Sequence, residues 1–183
     1  MRILGIDPGS MESAYCVLEH TTMKVEDKGK IANPQMLQGF MGDKDTFFNN
    51  YYDVVVIEFP VPRGMPVSKE LMETIYWIGR YDQACSTEMI RMDRKDVKMA
   101  LCGTTRAKDS NIRAACMGRF EHKVVGKGGK CPVIGAGGCE GPLHGFKKDI
   151  WAALAVALTH MDTLGTGSRL GWHGTGTPKK RKE

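Results

Sequence analysis

The chain has 183 residues, 42% of them hydrophobic and 26% charged, and carries a net charge of +5. These are the values of a single globular domain able to bury its own core, which excludes a fibrous or disulfide-stapled chain. No apolar run reaches transmembrane length, no basic-then-apolar leader opens the chain, and the six cysteines lack paired spacing, so the expected setting is cytoplasmic and reducing.

In chain order, residues 2–7 read as a strand, with Ile3, Leu4 and Ile6 around Gly5, ended by Asp7 and the turn Pro8-Gly9-Ser10. Residues 13–18 and 23–31 are two further strands joined by the polar stretch 19–22, and the first three form an antiparallel meander. A helix is predicted over 34–50, with Met36, Leu37, Phe40, Phe47 and Phe48 on its apolar side and an interruption near Gly42. DVVVIEF (53–59) is a continuous β-branched run, the mark of a strand buried on both faces. Then follow a helix over 68–84, a strand over 87–92, and helices over 94–101 and 108–119. Residues 121–147 hold eight glycines and read as loop, and the apolar stretch 148–161 is a helix. The pattern predicts an α/β domain over 1–162 with one mixed sheet, and a flexible basic tail over 163–183.

Two acids stand out. Asp7 and Glu58 each end an apolar strand, and parallel neighbours would set them side by side at the carboxyl ends, where open α/β sheets place their sites. Asp149, in the first turn of the last helix, is the third candidate. The competing reading is structural: Asp7 would bond turn amides, and Asp149 would cap or face the helix dipole. Clustered carboxylates repel one another, and a hard divalent cation is the usual resolution.

ILGIDPGS, VVVIE and KDIWAALAVALTH, in that order, resemble signature segments of the RuvC family of Holliday junction resolvases, in the RNase H-like superfamily. A fourth segment, DVKMALCGTTRAKDSNIRAACMGRF, is similar to the family's basic stretch and following helix, and the four together span about residues 2–160. The glycine-rich 121–147 and the Trp151 helix point to the phage-type RuvC-like subgroup. The resemblance implies a five-stranded RNase H-like sheet flanked by helices. It also implies a homodimer and structure-selective nicking of four-way or branched DNA that leaves 5′-phosphates. Asp7, Glu58 and Asp149 match the metal-binding acids of a catalytic centre for two Mg2+ ions, which Mn2+ can replace. One position departs from the pattern: a second acid expected three residues after Asp149 is Ala152. His144, Glu140 and His160 are open as replacements.

The resemblance also places DNA contacts at Lys98, Arg106 and Lys108, with Asp109 where a lysine is common, and at Arg63 and Lys69 around the loop after Glu58. Lys147 and Lys148 add charge near the acids, as does GKGGK (126–130). As a set they fit phosphate contacts; singly, each is an ordinary solvated cation. Leu71, Met72, Ile75 and Ile78 recur at helical spacing and are the expected dimer face, against the alternative that they are monomer core. A zinc site at Cys116, His122, Cys131 and Cys139 lacks a CxxC pair, and the glycines lack a Walker ending, so neither zinc nor a nucleotide cofactor is expected. The competing functions are a non-catalytic branched-DNA-binding protein, suggested by Ala152, and a YqgF-type RNA-processing nuclease.

Overall fold

Alternation along the first strand lays out the whole domain. In β1 (Arg2–Asp7), Leu4 and Ile6 enter one core while Ile3 enters the other, on the side that Gly5 and Asp7 share by the two-residue period. The computed structural model describes residues 1–42, 52–62, 64, 66–120, 134 and 141–165. Its five strands are β1, β2 (Glu12–Glu19), β3 (Lys24–Ala32), β4 (Val54–Glu58) and β5 (Met89–Met92), in the sheet order β3-β2-β1-β4-β5. The first three form the expected antiparallel meander, and β4 and β5 run parallel to β1. VVVIE is a central strand, and Val55, Val56 and Ile57 are fully buried, as its unbroken apolar run requires.

Helices cover both faces. One carries α1 (Asn33–Met41) and α2 (Lys69–Ala84); the other carries α3 (Arg94–Cys102), α4 (Asp109–Gly118) and α5 (Ile150–Gly165). Local chemistry sets the ends: Ser68 accepts from the Leu71 amide to start α2, and Asp93 accepts from the Lys95 amide to start α3. Gly103, at φ 68°, ends α3 in the left-handed conformation that glycine tolerates. The helix predicted over 34–50 stops at Met41, because Gly42 is extended; residues 43–51 lie outside the described set. The final helix begins at Ile150 and continues to Gly165.

That helix crosses β1 at very close range. A Cβ on Gly5 would stand 2.2 Å from the Ala153 carbonyl oxygen and 3.0 Å from the Ala157 Cβ. Only a glycine lets α5 lie this low on the sheet, and this contact carries the start of α5 toward the end of β1. Of the predicted dimer stripe on α2, Ile78 is buried in the monomer core, Leu71 and Ile75 are half-buried, and Met72 is exposed. Among the described residues no helix is long and apolar enough to cross a membrane.

Candidate active site

The parallel register pairs Ile6 with Ile57, so the residues that follow, Asp7 and Glu58, end neighbouring strands at the same level. On the other side of β4, Glu58 pairs with Met92, and the chain then turns through Asp93 into α3, which begins with Arg94. Asp149 arrives from the opposite wall. It stands immediately before α5 and not in the first turn: its backbone carbonyl accepts from the Ala152 and Ala153 amides at 3.0 and 3.1 Å. Lys148, just before it, holds φ at 29°, a conformation rare for a residue with a side chain. A cleft of about 330 Å³ results, lined by Asp7, Arg94, Asp109, Ile112, Lys148, Asp149, Trp151 and Ala152.

The acids differ in how their charge is met. Arg94 reaches Glu58 Oε2 with Nη1 and Asp109 Oδ1 with Nη2, both at 2.7 Å. Lys30 Nζ lies 2.8 Å from Asp149 Oδ2 and 3.4 Å from Glu12 Oε2. Lys30 pairs with Ala14 in the sheet, and Ala14 pairs with Asp7, so a small residue separates cation from acid along one row. Asp7 itself accepts no hydrogen bond and makes no ion pair among the described residues. Burial, then the neighbouring Glu58 and more weakly Asp149, push its carboxyl up to about 7. Burial also raises Glu58, with Arg94 pulling it back. The lysine bond to Asp149 raises Lys30.

The donor types suit a hard divalent cation: Asp7 and Asp149 line one cleft from two elements, Glu58 ends the strand beside Asp7 but is not part of that lining, and Asp7 has no donor of its own among the described residues. Among the described residues no three His, Cys, Asp or Glu groups already stand as a ready-made ligand cage. The residues that would hold an ion are Asp7, Glu58 and Asp149. The position of the missing acid, Ala152, does line the cleft. Neither His144, exposed in the turn before α5, nor His160, further along α5, is part of that lining, and Glu140 lies outside the described residues. The acid that the fold brings there is Asp109.

Of the other predicted contacts, Lys148 lines the cleft, and Lys147 precedes it on the same exposed turn. Arg106 and Lys108 are exposed between α3 and α4, with Lys108 directly before Asp109. Lys98 is half-buried on α3, and Lys69 is exposed at the start of α2, 3.6 Å from Glu73; neither is part of the cleft lining. Arg63, residues 126–130, His122, Cys131, Cys139 and residues 166–183 lie outside the described residues. Cys116 is a buried free thiol that burial pushes up to about 12. Sequence reasoning missed Arg94, Lys30 and the place of Asp109 in the cleft wall. The one available signal was the position of Arg94, at the start of the helix predicted directly after the strand over 87–92.

Among solved structures, the Thermus thermophilus RuvC structure superposes with a TM-score of 0.60 at 15% identity, covering 91% of this chain and 97% of that one. The fold is RuvC-like. T. thermophilus RuvC in complex with a Holliday junction substrate gives a TM-score of 0.59 at 16% identity, covering 91% of this chain and 96% of that one. No protein-family model and no curated protein sequence matches the chain. The RuvC-like sheet of five strands with helices on both faces is the architecture that the motif order implied.

Proposed function

We propose that this protein is a metal-dependent endonuclease that resolves Holliday junctions or other branched DNA by paired, symmetric nicks. The observation that carries the reading is Asp7. It is a carboxylate set at the end of a central strand, denied a hydrogen bond, and crowded by two further acids from separate elements. A residue needed only for the turn would bond the turn's amides instead; here the Gly9 amide turns to Ser13 Oγ at 3.4 Å. Asp149, read as a cap, spends its carboxylate on Lys30. The RuvC-like fold and the junction complex of a protein sharing it support the choice of substrate.

In this reading Asp7, Glu58 and Asp149 hold Mg2+ or Mn2+, two ions per centre, and Arg106, Lys108, Lys147 and Lys148 hold phosphates on the rim. Bound divalent ions supply activation of a water and neutralisation of the leaving oxygen. The chain's own share is to fix the acids on rigid elements and to align the strand by its phosphates. Two symmetric cuts require two such centres, hence a homodimer with twofold symmetry. A non-catalytic junction binder is the second reading, and Ala152 in the cleft wall is the observation that favours it.

The test is incubation with a synthetic four-way junction and a linear duplex, in Mg2+, Mn2+ or EDTA. Paired nicks with 5′-phosphate ends, on the junction and only with metal, are expected. Junction binding in EDTA with no cut in either metal would establish the binder instead.

A further inference from the structure

The least expected group in the cleft is the Arg94 guanidinium. Its two arms each carry a charge-assisted bond of 2.7 Å, one to Glu58 and one to Asp109. The two partners are held in different surroundings. The Glu58 side chain is 13% exposed and needs a counter-charge, whereas that of Asp109 is 81% exposed and is largely solvated without one. The inner bond occupies Glu58 Oε2, one of the two oxygens through which that carboxylate would reach a divalent cation in the metal-dependent reading, and the outer bond is a tether at the cleft mouth. A divalent cation and a guanidinium on the one carboxylate would repel each other, and more so in a site withdrawn from water.

We propose that Arg94 is a resident counter-charge: it occupies Glu58 while the cleft holds no divalent ion, and yields that carboxylate when one binds, remaining tethered to Asp109. The inference rests on the metal-dependent reading of the cleft. Arg94 is in this scheme neither a ligand nor a catalytic residue. It keeps a buried acid satisfied in the metal-free protein, and it sets how tightly metal must bind to displace it. The released arm then stands in the cleft as a donor for a phosphate oxygen, so metal binding and DNA binding reinforce each other.

Mn2+ binding to the intact protein without DNA, measured by electron paramagnetic resonance and calorimetry, tests this apart from cleavage. Arg94→Gln should bind Mn2+ about tenfold more tightly than wild type, since one charge-assisted competitor is gone. Its melting temperature should fall in EDTA and recover in saturating Mn2+ by more than wild type gains. Arg94→Lys, which keeps a charge but loses the fork, should show a smaller gain and guards against a poorly folded glutamine variant. Unchanged or weaker Mn2+ binding in either variant, with wild type binding normally, would overturn the role of Arg94 alone. If wild type bound no Mn2+, or Asp7→Asn bound it equally well, the metal reading would fall and this inference with it.

Discussion

The two faces of the sheet solve the same problem in opposite ways. On the α1/α2 side, the buried polar groups are neutral and fully partnered: Ser13 Oγ donates to Asn33 Oδ1 at 2.7 Å and meets the Tyr81 hydroxyl at 3.3 Å. Asn33 Nδ2 donates to the Gly9 carbonyl at 2.9 Å, and this ties the turn after Asp7 to α1. On the α3/α4/α5 side, carboxylates meet cations from other elements, and Asp7 meets none among the described residues. Neutral bonds hold a backbone in place whatever the solvent contains. Ionic ones can be exchanged for a metal or a phosphate. The difference marks one side of the sheet as scaffold and, in the proposed function, the other as reactive.

The largest effect expected is on the reactive side. Asp7→Asn keeps the shape of the side chain and removes its charge, so nicking should drop by on the order of 10³-fold or more, as loss of a metal-site charge implies. Junction affinity in gel shifts should hold or rise, and Glu58→Gln and Asp149→Asn should follow suit. Normal cleavage by Asp149→Asn would remove it from the site.

The next is a dependence on pH. Asp7 ionises near 3.8 when unfolded and near 7 in the folded, metal-free protein. Between those values the folded state keeps a proton that the unfolded state has lost. The stability from this group is therefore complete below pH 4 and disappears as pH rises through 7. Urea unfolding in EDTA should show wild type losing up to about 4 kcal/mol more than Asp7→Asn between pH 4 and 8. Parallel curves for the two proteins would refute the displaced ionisation.

On the scaffold side the costs are smaller and should ignore salt. Asn33→Ala removes the shorter partner of Ser13 and the side-chain donor to the Gly9 carbonyl and should cost about 1–3 kcal/mol, while Tyr81→Phe, which removes one long bond, should cost about 1 kcal/mol. Equal losses at 0.05 and 0.5 M NaCl are expected in chemical denaturation; a strong salt effect would erase the contrast between the faces.

The smallest expected change is in DNA binding. Lys148→Ala should lower the slope of log affinity against log salt by about 0.9, the value of one phosphate contact. An unaltered slope would place the phosphate path elsewhere.

Asp7 and Glu58 stood out as candidates because each ends an apolar strand, and Asp149 because it stands at the start of an apolar helix in a segment resembling a RuvC signature. The meander of the first three strands and the buried character of β4 were legible in the residues, whereas the place of β5 was not. Arg94 was not legible, since its partners lie 36 and 15 residues away in the chain and only the sheet order brings β5 beside β4. The Ser13–Asn33–Tyr81 group was hidden for the same reason: its members belong to β2, α1 and α2 and read singly as ordinary polar residues. The start of α5 was placed two residues early because Asp149 was read inside the first turn, whereas it stands just before the helix, after the break made by the backbone of Lys148.

Gly5 has a consequence for any mutational survey of this protein. Every substitution there must lift α5 or bend β1, and the start of α5 carries Asp149. Larger residues at Ala153 and Ala157 would act on the same seam. A map of inactivating changes should therefore trace a line of small residues running from the middle of the sheet to the cleft, as intolerant as the acids themselves. Intolerance along that line reports spacing, and the acids of the cleft are the groups it keeps in range.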